Sequence, residues 1–435
     1  MIEFFTDPVL RAPTIGSILI CLSTALIGSI AYLRKQSLIG EALSHATYPG
    51  VIIGVIIAAW LGISPYEQGP LTISILLGAS LTAILGYFSI IKLQSLWNVS
   101  PDVALCTILS IFFGIGITLA SGVQFSSPEL YRQSFIYLFG QAATMTDIDL
   151  IIYGALAFII TCSLALLYKE IHLITFDRQS ARVLKLPVAK IDAVIFLLII
   201  LSVVVGIRAV GIVLISAMLV SPAVSARFLT TRFSSMLLLA GGFGIISGFL
   251  GNYLSVTLAE EGTSLPTGPT IVLVSAVICG LSLLFSPTQG LIPRLIRHFR
   301  FRLRCISENV LKGIWKTDPN EVYLFSQMKD IHRMHPIFLY LILKRLYHQG
   351  RLAYKNNGYI LTEDGKSRAA RIVRLHRLWE VYLANYLGAS SRRVHHSAEE
   401  MEHIITRELE DELTKLLDDP TQDPHEQPIP PRSSS

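Results

Sequence analysis

The sequence predicts an all-α polytopic membrane protein of about nine transmembrane helices. A smaller soluble part follows, combining an α+β winged-helix pattern with a helical domain. Three observations predict this. Of 435 residues, 52% are hydrophobic and only 15% are charged, against about 25% charged in an ordinary soluble domain. Charge is also unevenly divided: residues 1–286 hold 13 Lys/Arg and 13 Asp/Glu, whereas residues 287–435 hold 23 and 18 in about half the length. Finally, nine of the eleven histidines follow residue 286. The two parts are built for different solvents, and a mean hydropathy of +0.55 fits a chain lying mostly in a bilayer.

A span needs roughly 20 apolar residues. Runs of that kind lie at 15–33, 42–61, 70–91, 101–120, 149–168, 192–207, 209–226, 235–258 and 269–286. Arg208 interrupts the sixth and seventh, which could also form one broken span; counts of eight or ten stay open. The piece Phe135–Gly140 is too brief to cross and reads as re-entrant or interfacial. Basic residues alternate between loops. Arg34, Lys35, Lys92, the group Lys169 to Lys190, Arg227, Arg232 and Arg294 onward fall on one side, while residues 62–69 hold no Lys or Arg. The positive-inside rule makes that side cytoplasmic, with the N-terminus outside and the C-terminal domain inside a bacterial inner membrane. Only Arg11 precedes the first apolar run and no small-residue cleavage pattern follows it, so no cleavable signal peptide is expected. Cys21, Cys106, Cys162, Cys279 and Cys305 show no paired spacing and predict neither a disulfide framework nor a zinc site.

An ionisable residue inside an apolar span is costly and marks function by default. Glu41 and His45, in Ser37-Leu-Ile-Gly-Glu-Ala-Leu-Ser-His-Ala-Thr-Tyr-Pro49-Gly50, are spaced i, i+4 and share one face of a helix. A carboxylate with an imidazole suits zinc, manganese or ferrous iron. Pro49 frees a carbonyl one turn back, that of Ser44 or His45. The plainer alternative is a Glu–His hydrogen bond that only fixes helix packing. There is no GxxxxGK[ST] nucleotide loop and no nucleophile–base arrangement, so this chain is expected to bind no nucleotide and to catalyse no reaction.

The run Gly40-Glu-Ala-Leu-Ser-His-Ala-Thr-Tyr-Pro-Gly50 resembles the early motif of the metal-cation family of ABC permeases. Tyr137-Leu-Phe-Gly140, Phe176-Asp177-Arg-Gln-Ser-Ala181-Arg-Val-Leu-Lys-Leu186-Pro187-Val188, Val210-Gly211-Ile-Val-Leu, Leu219-Val-Ser-Pro222-Ala and Leu265-Pro266-Thr-Gly268-Pro-Thr-Ile-Val follow in the family's order. The resemblance covers residues 10–286. It implies a permease of an importer for zinc, manganese or iron, working with an ATPase subunit, a periplasmic or surface metal-binding protein, and a second permease chain of the same or another kind. It also implies that Glu41 and His45 contact the passing ion, with Glu41 standing where the family has Asp. The ATPase docks on the loop carrying Phe176, Asp177, Ala181, Leu186 and Pro187; the plainer reading of that loop is a solvated basic segment.

After Pro287 the periodicity is that of amphipathic soluble helices. Arg294, Arg297, Arg300, Arg302 and Arg304 make a basic linker over 287–304, suited to anionic membrane lipid and, if exposed, to proteolysis. Helices are expected at 306–316, 320–329 and 336–349, with a hairpin at Asn356-Asn357-Gly358. That order reads as a winged helix over 305–365, whose recognition helix offers Tyr340, Lys344 and Arg345 to DNA. In the helical segment 366–435, His376 and Glu380 are i, i+4, and Glu399, Glu402 and His403 share a face one turn after His395. Pairs of this kind are usually surface salt bridges and alternatively build helical metal sites.

His376-Arg-Leu-Trp-Glu380, Val394-His395-His-Ser-Ala-Glu399-Glu-Met-Glu402-His403 and the tail Asp419-Pro420 to Pro430 resemble the metal-binding and dimerisation domain of the diphtheria toxin repressor family. The likeness spans 305–430 and implies that His376, Glu380, His395, Glu399, Glu402 and His403 are ligands of regulatory Mn²⁺, Fe²⁺ or Zn²⁺. Glu399 stands where manganese-type members have Glu and iron-type members Cys. Asn309 stands where relatives have Met or Asp. Together the two resemblances imply a metal permease fused to a metal-responsive regulator that binds operator DNA. The alternatives are a domain that only gates transport, and a secondary metal carrier needing no ATPase.

Overall fold

In hydrocarbon each backbone N–H and C=O must find its partner within the segment, so every long apolar run becomes a helix. The computed structural model describes residues 3–63, 68–126, 128–258, 265–287, 290–332, 334–387, 398–399 and 401–432. It divides into two units, Met1–Pro293 and Arg294–Ser435.

In the first unit a short helix α1 (Glu3–Thr6) precedes α2 (Pro8–Leu33), α3 (Ile39–Trp60), α4 (Gln68–Leu96), α5 (Pro101–Ser126), α6 (Pro128–Phe139), α7 (Asp147–Leu166), α8 (Tyr168–Phe176), α9 (Arg178–Val183), α10 (Val188–Val210), α11 (Ile212–Leu229), α12 (Phe233–Thr257) and α13 (Thr267–Phe285). Among the described residues nine of these are long and apolar enough to cross a membrane: α2, α3, α4, α5, α7, α10, α11, α12 and α13. The sixth and seventh are separate helices. Gly211 ends α10 at φ 93°, a conformation glycine adopts without a Cβ penalty.

Lipid is as apolar as leucine, so these helices associate through close backbone packing and internal hydrogen bonds. Helix α2 packs against α7, α10, α11 and α12, and α3 against α4 and α5. At the α3–α4 crossing a Cβ on Gly50 would sit 2.1 Å from the Gly78 carbonyl oxygen, so only glycine fits. Asn252 Nδ2 donates to Thr14 Oγ1 at 2.8 Å, tying α12 to α2 through two buried groups. The piece Phe135–Gly140 forms the end of α6, which stops at Gly140 with φ 72°.

In the second unit, α14 (Leu291–Thr317), α15 (Phe325–His332) and α16 (Pro336–His348) lead into strands β1 (Leu352–Lys355) and β2 (Gly358–Leu361), then α17 (Glu363–Leu387) and α18 (Arg407–Leu416). Strands β1 and β2 are antiparallel, with Leu352 opposite Leu361. Their turn residues Asn356 and Asn357 take φ of 50° and 64°, as a two-residue hairpin turn requires. The core joins Val310, Leu311 and Ile314 of α14 to Met328 of α15 and Leu339 and Leu343 of α16.

Two expectations are corrected. The basic segment 294–304 is helical and continuous with the helix expected at 306–316. The second helix starts at Phe325 rather than 320, because the backbone of Tyr323 exchanges two 2.9 Å hydrogen bonds with Tyr359 and so joins the hairpin.

Candidate functional site

Helix α3 carries Glu41 and His45 one turn apart, both half-buried. The Phe113 ring of α5 meets the His45 imidazole edge to face at 4.7 Å, and Nδ1 of His45 is buried with no hydrogen-bond partner among the described residues. A buried imidazole nitrogen without a partner is costly and is free to bind a metal ion. Pro49 lies within an unbroken α3 and gives no N–H to the His45 carbonyl. The Ser44 carbonyl is taken by the Thr47 hydroxyl, so of the two carbonyls expected to be freed, that of His45 is the one Pro49 strands.

Behind this helix three quoted segments converge. A Cβ on Gly140 would lie 2.3 Å from the Val210 carbonyl carbon, one on Gly211 2.4 Å from that of Phe139, and one on Gly268 3.0 Å from the Val210 oxygen. Gln141 N donates to the Arg208 carbonyl at 3.1 Å. Beside that crossing, Arg208 Nη1 lies 2.6 Å from Asp149 Oδ1, with side chains 19% and 3% exposed. Asp149 Oδ2 meanwhile accepts from Thr146 N and Thr146 Oγ1, capping α7. Arg208 stands out in the sequence as an interruption. Its partner, in the capping pattern Thr146-Asp-Ile-Asp149, does not.

On the loop expected to dock the ATPase, Phe176 is exposed and Asp177 caps α9, its Oδ2 accepting from Ser180 Oγ at 2.5 Å and its Oδ1 from Ser180 N at 2.9 Å. The Ser180 hydroxyl first, and then its backbone N–H, hold the Asp177 carboxyl below the usual carboxylate range. Pro187 is exposed and Leu186 half-buried, whereas Ala181 is fully buried and packs beneath the loop. Val183 and Leu184 are also exposed and extend the apolar surface of Phe176. Asp192 of α10 bridges Arg178 and, at 2.8 Å, Arg34 at the end of α2. It lies in a cleft of about 780 Å³ that also holds Tyr87, Arg182 and Phe196. This bridge was not singled out in the sequence, where its members are 158 and 14 residues apart.

In the second unit His376, Glu380, Glu402 and His403 are brought together. His376 Nε2 is 3.2 Å from Glu380, and Nδ1 is 2.6 Å from Glu402 Oε2. His403 Nδ1 is 2.7 Å from Glu308 Oε2, and Nε2 is 3.1 Å from Asn309 Oδ1. Glu399 is exposed, and His395 lies outside the described residues. Burial opposes charge on His376, but its bonds to Glu380 and Glu402 outweigh that and raise its pKa. Burial likewise works against the Glu402 and Glu308 carboxylates, and their hydrogen-bonded partners hold both below the usual range.

Two residues absent from the expected set complete the cluster. Lys312 Nζ lies 2.8 and 2.6 Å from the two Glu402 oxygens, and Arg368 pairs with Glu308. Zinc bonds carboxylate oxygen at about 2.0–2.2 Å, and here an ammonium already holds both Glu402 oxygens. Among the described residues no three His, Cys, Asp or Glu side chains are arranged to hold a metal ion. Among the described residues the donor set as it stands does not fit a resident metal. On α16, Tyr340 and Lys344 are exposed and Arg345 is half-buried, beside exposed Ile337 and Leu341.

The family profile described as the ABC 3 transport family matches residues 6–286. The chain belongs to that family. A second profile, the iron dependent repressor, metal binding and dimerisation domain, matches residues 362–431. A probable metal transport system membrane protein of Chlamydia trachomatis serovar D is 37% identical over 453 aligned positions, covering 99% of this permease and 98% of the relative. The manganese transport system membrane protein MntC of Bacillus subtilis is 31% identical over 371, covering 85% and 82%. Among solved structures, PsaBC from Streptococcus pneumoniae in complex with Fab matches with a TM-score of 0.56 and 26% identity, over 66% of this permease and 95% of that chain. The protein is thus a multi-pass metal ABC transporter permease with a C-terminal repressor-like domain.

Proposed function

We propose that this permease is the membrane-spanning subunit of an ATP-driven importer of a divalent transition metal ion: manganese, zinc or iron. The observation that carries this reading is the pair Glu41 and His45 on one face of a membrane helix, with a buried imidazole nitrogen that no group among the described residues satisfies. The ion is the cargo. It arrives from a binding protein on the outer side and passes between this chain and a second permease chain. A separate ATPase subunit binds and hydrolyses the nucleotide, docking on the cytoplasmic side against Phe176, Leu186 and Pro187, with Val183 and Leu184 widening that apolar surface. Asp177 shapes the loop, and buried Ala181 lets it pack closely. The N-terminus faces outward from the bacterial inner membrane, and the repressor-like domain is cytoplasmic.

That domain is the importer's regulatory module, meeting operator DNA through Tyr340, Lys344 and Arg345. The apolar side chains Ile337 and Leu341, exposed on the same helix, favour a second reading in which α16 docks on protein and gates transport. Reconstituting the permease with its ATPase in vesicles tests the first reading. ATP-dependent uptake of Mn²⁺, Zn²⁺ or Fe²⁺ is expected. Uptake driven by an ion gradient without ATP would establish a secondary carrier instead. A fluorescence-anisotropy titration with the DNA upstream of the transporter genes separates the two regulatory readings.

A further inference from the structure

Lys312 is the least expected member of the C-terminal cluster. It lies on α14, and its side chain is only 8% exposed. Lysine is almost never that buried unless paired. Its ammonium holds Glu402, whose side chain is 0% exposed, by both carboxylate oxygens. It also lies 3.3 Å from His376 Nδ1 on α17. One side-chain cation thus ties together three chain segments: α14, α17 and the residues around Glu402. Arginine treats the neighbouring carboxylate similarly. Arg368 takes one oxygen of Glu308 and His403 the other. The buried carboxylates Glu402 and Glu308 thus each already have a cation of the protein's own, while Glu380 meets His376.

We propose that Lys312 is the resident cation of this cluster, standing where a divalent ion would bind, and that the repressor-like domain holds its folded arrangement without metal. A divalent ion at Glu402 would share a buried site with an ammonium less than 3 Å from the same oxygens, and like charges in a low dielectric repel strongly. The ion enters only if the lysine leaves, and a displaced ammonium needs a new partner or water. The domain therefore does not report metal by ordinary occupancy of His376, Glu380, Glu402 and His403. Its state is set by something other than the transported ion. The inference rests on the geometry of this domain and is independent of transport through Glu41 and His45.

The test uses the full chain in detergent and Mn²⁺ alone as the probe. Equilibrium dialysis compares the wild type with Lys312→Met, Lys312→Ala and Glu402→Gln. Every chain keeps the membrane pair, so differences between them report the C-terminal cluster. Wild type and Glu402→Gln are expected to bind the same number of Mn²⁺ ions. Lys312→Met and Lys312→Ala are expected to gain one further ion, and to unfold at a temperature that rises with Mn²⁺ by several degrees more than in the wild type. If the lysine variants fold only when Mn²⁺ is supplied, the proposal is equally supported. Loss of one bound ion in Glu402→Gln overturns it, because the wild-type cluster would then hold metal. Lysine variants that fold and gain no ion overturn it too. Should both fail to fold under all conditions, the Glu402→Gln comparison still decides. ATP-driven uptake in vesicles is a separate readout, so its failure leaves this result standing.

Discussion

Arg208 and Asp149 meet at 2.6 Å between two membrane helices, and the carboxylate that neutralises the guanidinium also caps the helix it stands on. Removing one partner of a buried ion pair leaves an uncompensated charge, which costs about 3–5 kcal/mol. Asp149→Ala and Arg208→Met are each expected to lose stability on that scale in detergent thermal unfolding. The double variant should recover part of the loss, since neither charge then remains. Additive losses in the double variant would show that the pair is not coupled.

The pair Glu41 and His45 is expected to be needed for passage of the ion, not for folding. Both side chains are half-buried. Glu41→Gln and His45→Ala should each abolish uptake of radioactive metal into cells while the amount of chain in the membrane stays at wild-type level. Uptake that persists in both variants would leave the pair a packing device.

For the loop from Phe176 to Val188, the expected phenotype is uncoupling. Leu186→Asp with Pro187→Gly roughens the surface offered by Phe176, Val183 and Leu184. In a purified complex it should leave basal ATP hydrolysis in place but remove its stimulation by metal and binding protein. Asp192→Asn releases Arg34 and Arg178 and should weaken the same stimulation several-fold. Full stimulation in the Leu186/Pro187 variant would move the docking surface elsewhere.

Gly211→Ala places a Cβ 2.4 Å from the Phe139 backbone at φ 93°. Overpacking costs about 1–3 kcal/mol, and a backbone at φ 93°, ψ 158°, open essentially to glycine alone, adds about 1–3 kcal/mol for an L residue. The variant should show a lower unfolding temperature and reduced membrane yield. A wild-type melting curve would mean that the α6–α11 crossing relaxes.

The C-terminal domain should lose stability in mild acid through His332. This imidazole is half-buried, its Nε2 is without a partner among the described residues, and Gly313 stands where any side chain would strike the ring. Burial lowers its pKa below the ordinary 6.5. The unfolded state therefore binds the proton more readily, so the contribution is complete above about pH 6.5 and falls away as pH drops through the lowered value. The pH profile of His332→Phe, subtracted from that of the wild type, isolates this slope; identical profiles would assign the acid sensitivity to other groups.

The sequence by itself determined the spans, the change of solvent after residue 286, a hairpin at its Asn-Gly signal, and the pair Glu41 and His45. Each is written in local pattern: apolar length fixes a membrane helix, an Asn-Gly step marks a tight turn, and a four-residue spacing fixes one helical face. The structure sets the turn itself one residue earlier, at Asn356-Asn357, with Gly358 paired to Lys355. Spacing also set His376 with Glu380, and Glu399, Glu402 and His403 one turn after His395, while the resemblance joined all six. The fold brings His376, Glu380, Glu402 and His403 together and leaves Glu399 exposed, and His395 lies outside the described residues. The tertiary structure alone decided what stands between them. Lys312 is 64 residues from His376 and 90 from Glu402, and no periodicity connects a lysine on α14 to carboxylates so far along the chain. The same holds for Asp192 with Arg34, for Asp149 with Arg208, and for Gly140 with Gly211. Spacing reports which side chains leave one helix in the same direction. Which charge arrives from another helix to neutralise them, and which backbone passes close enough to demand glycine, is settled only when the helices pack.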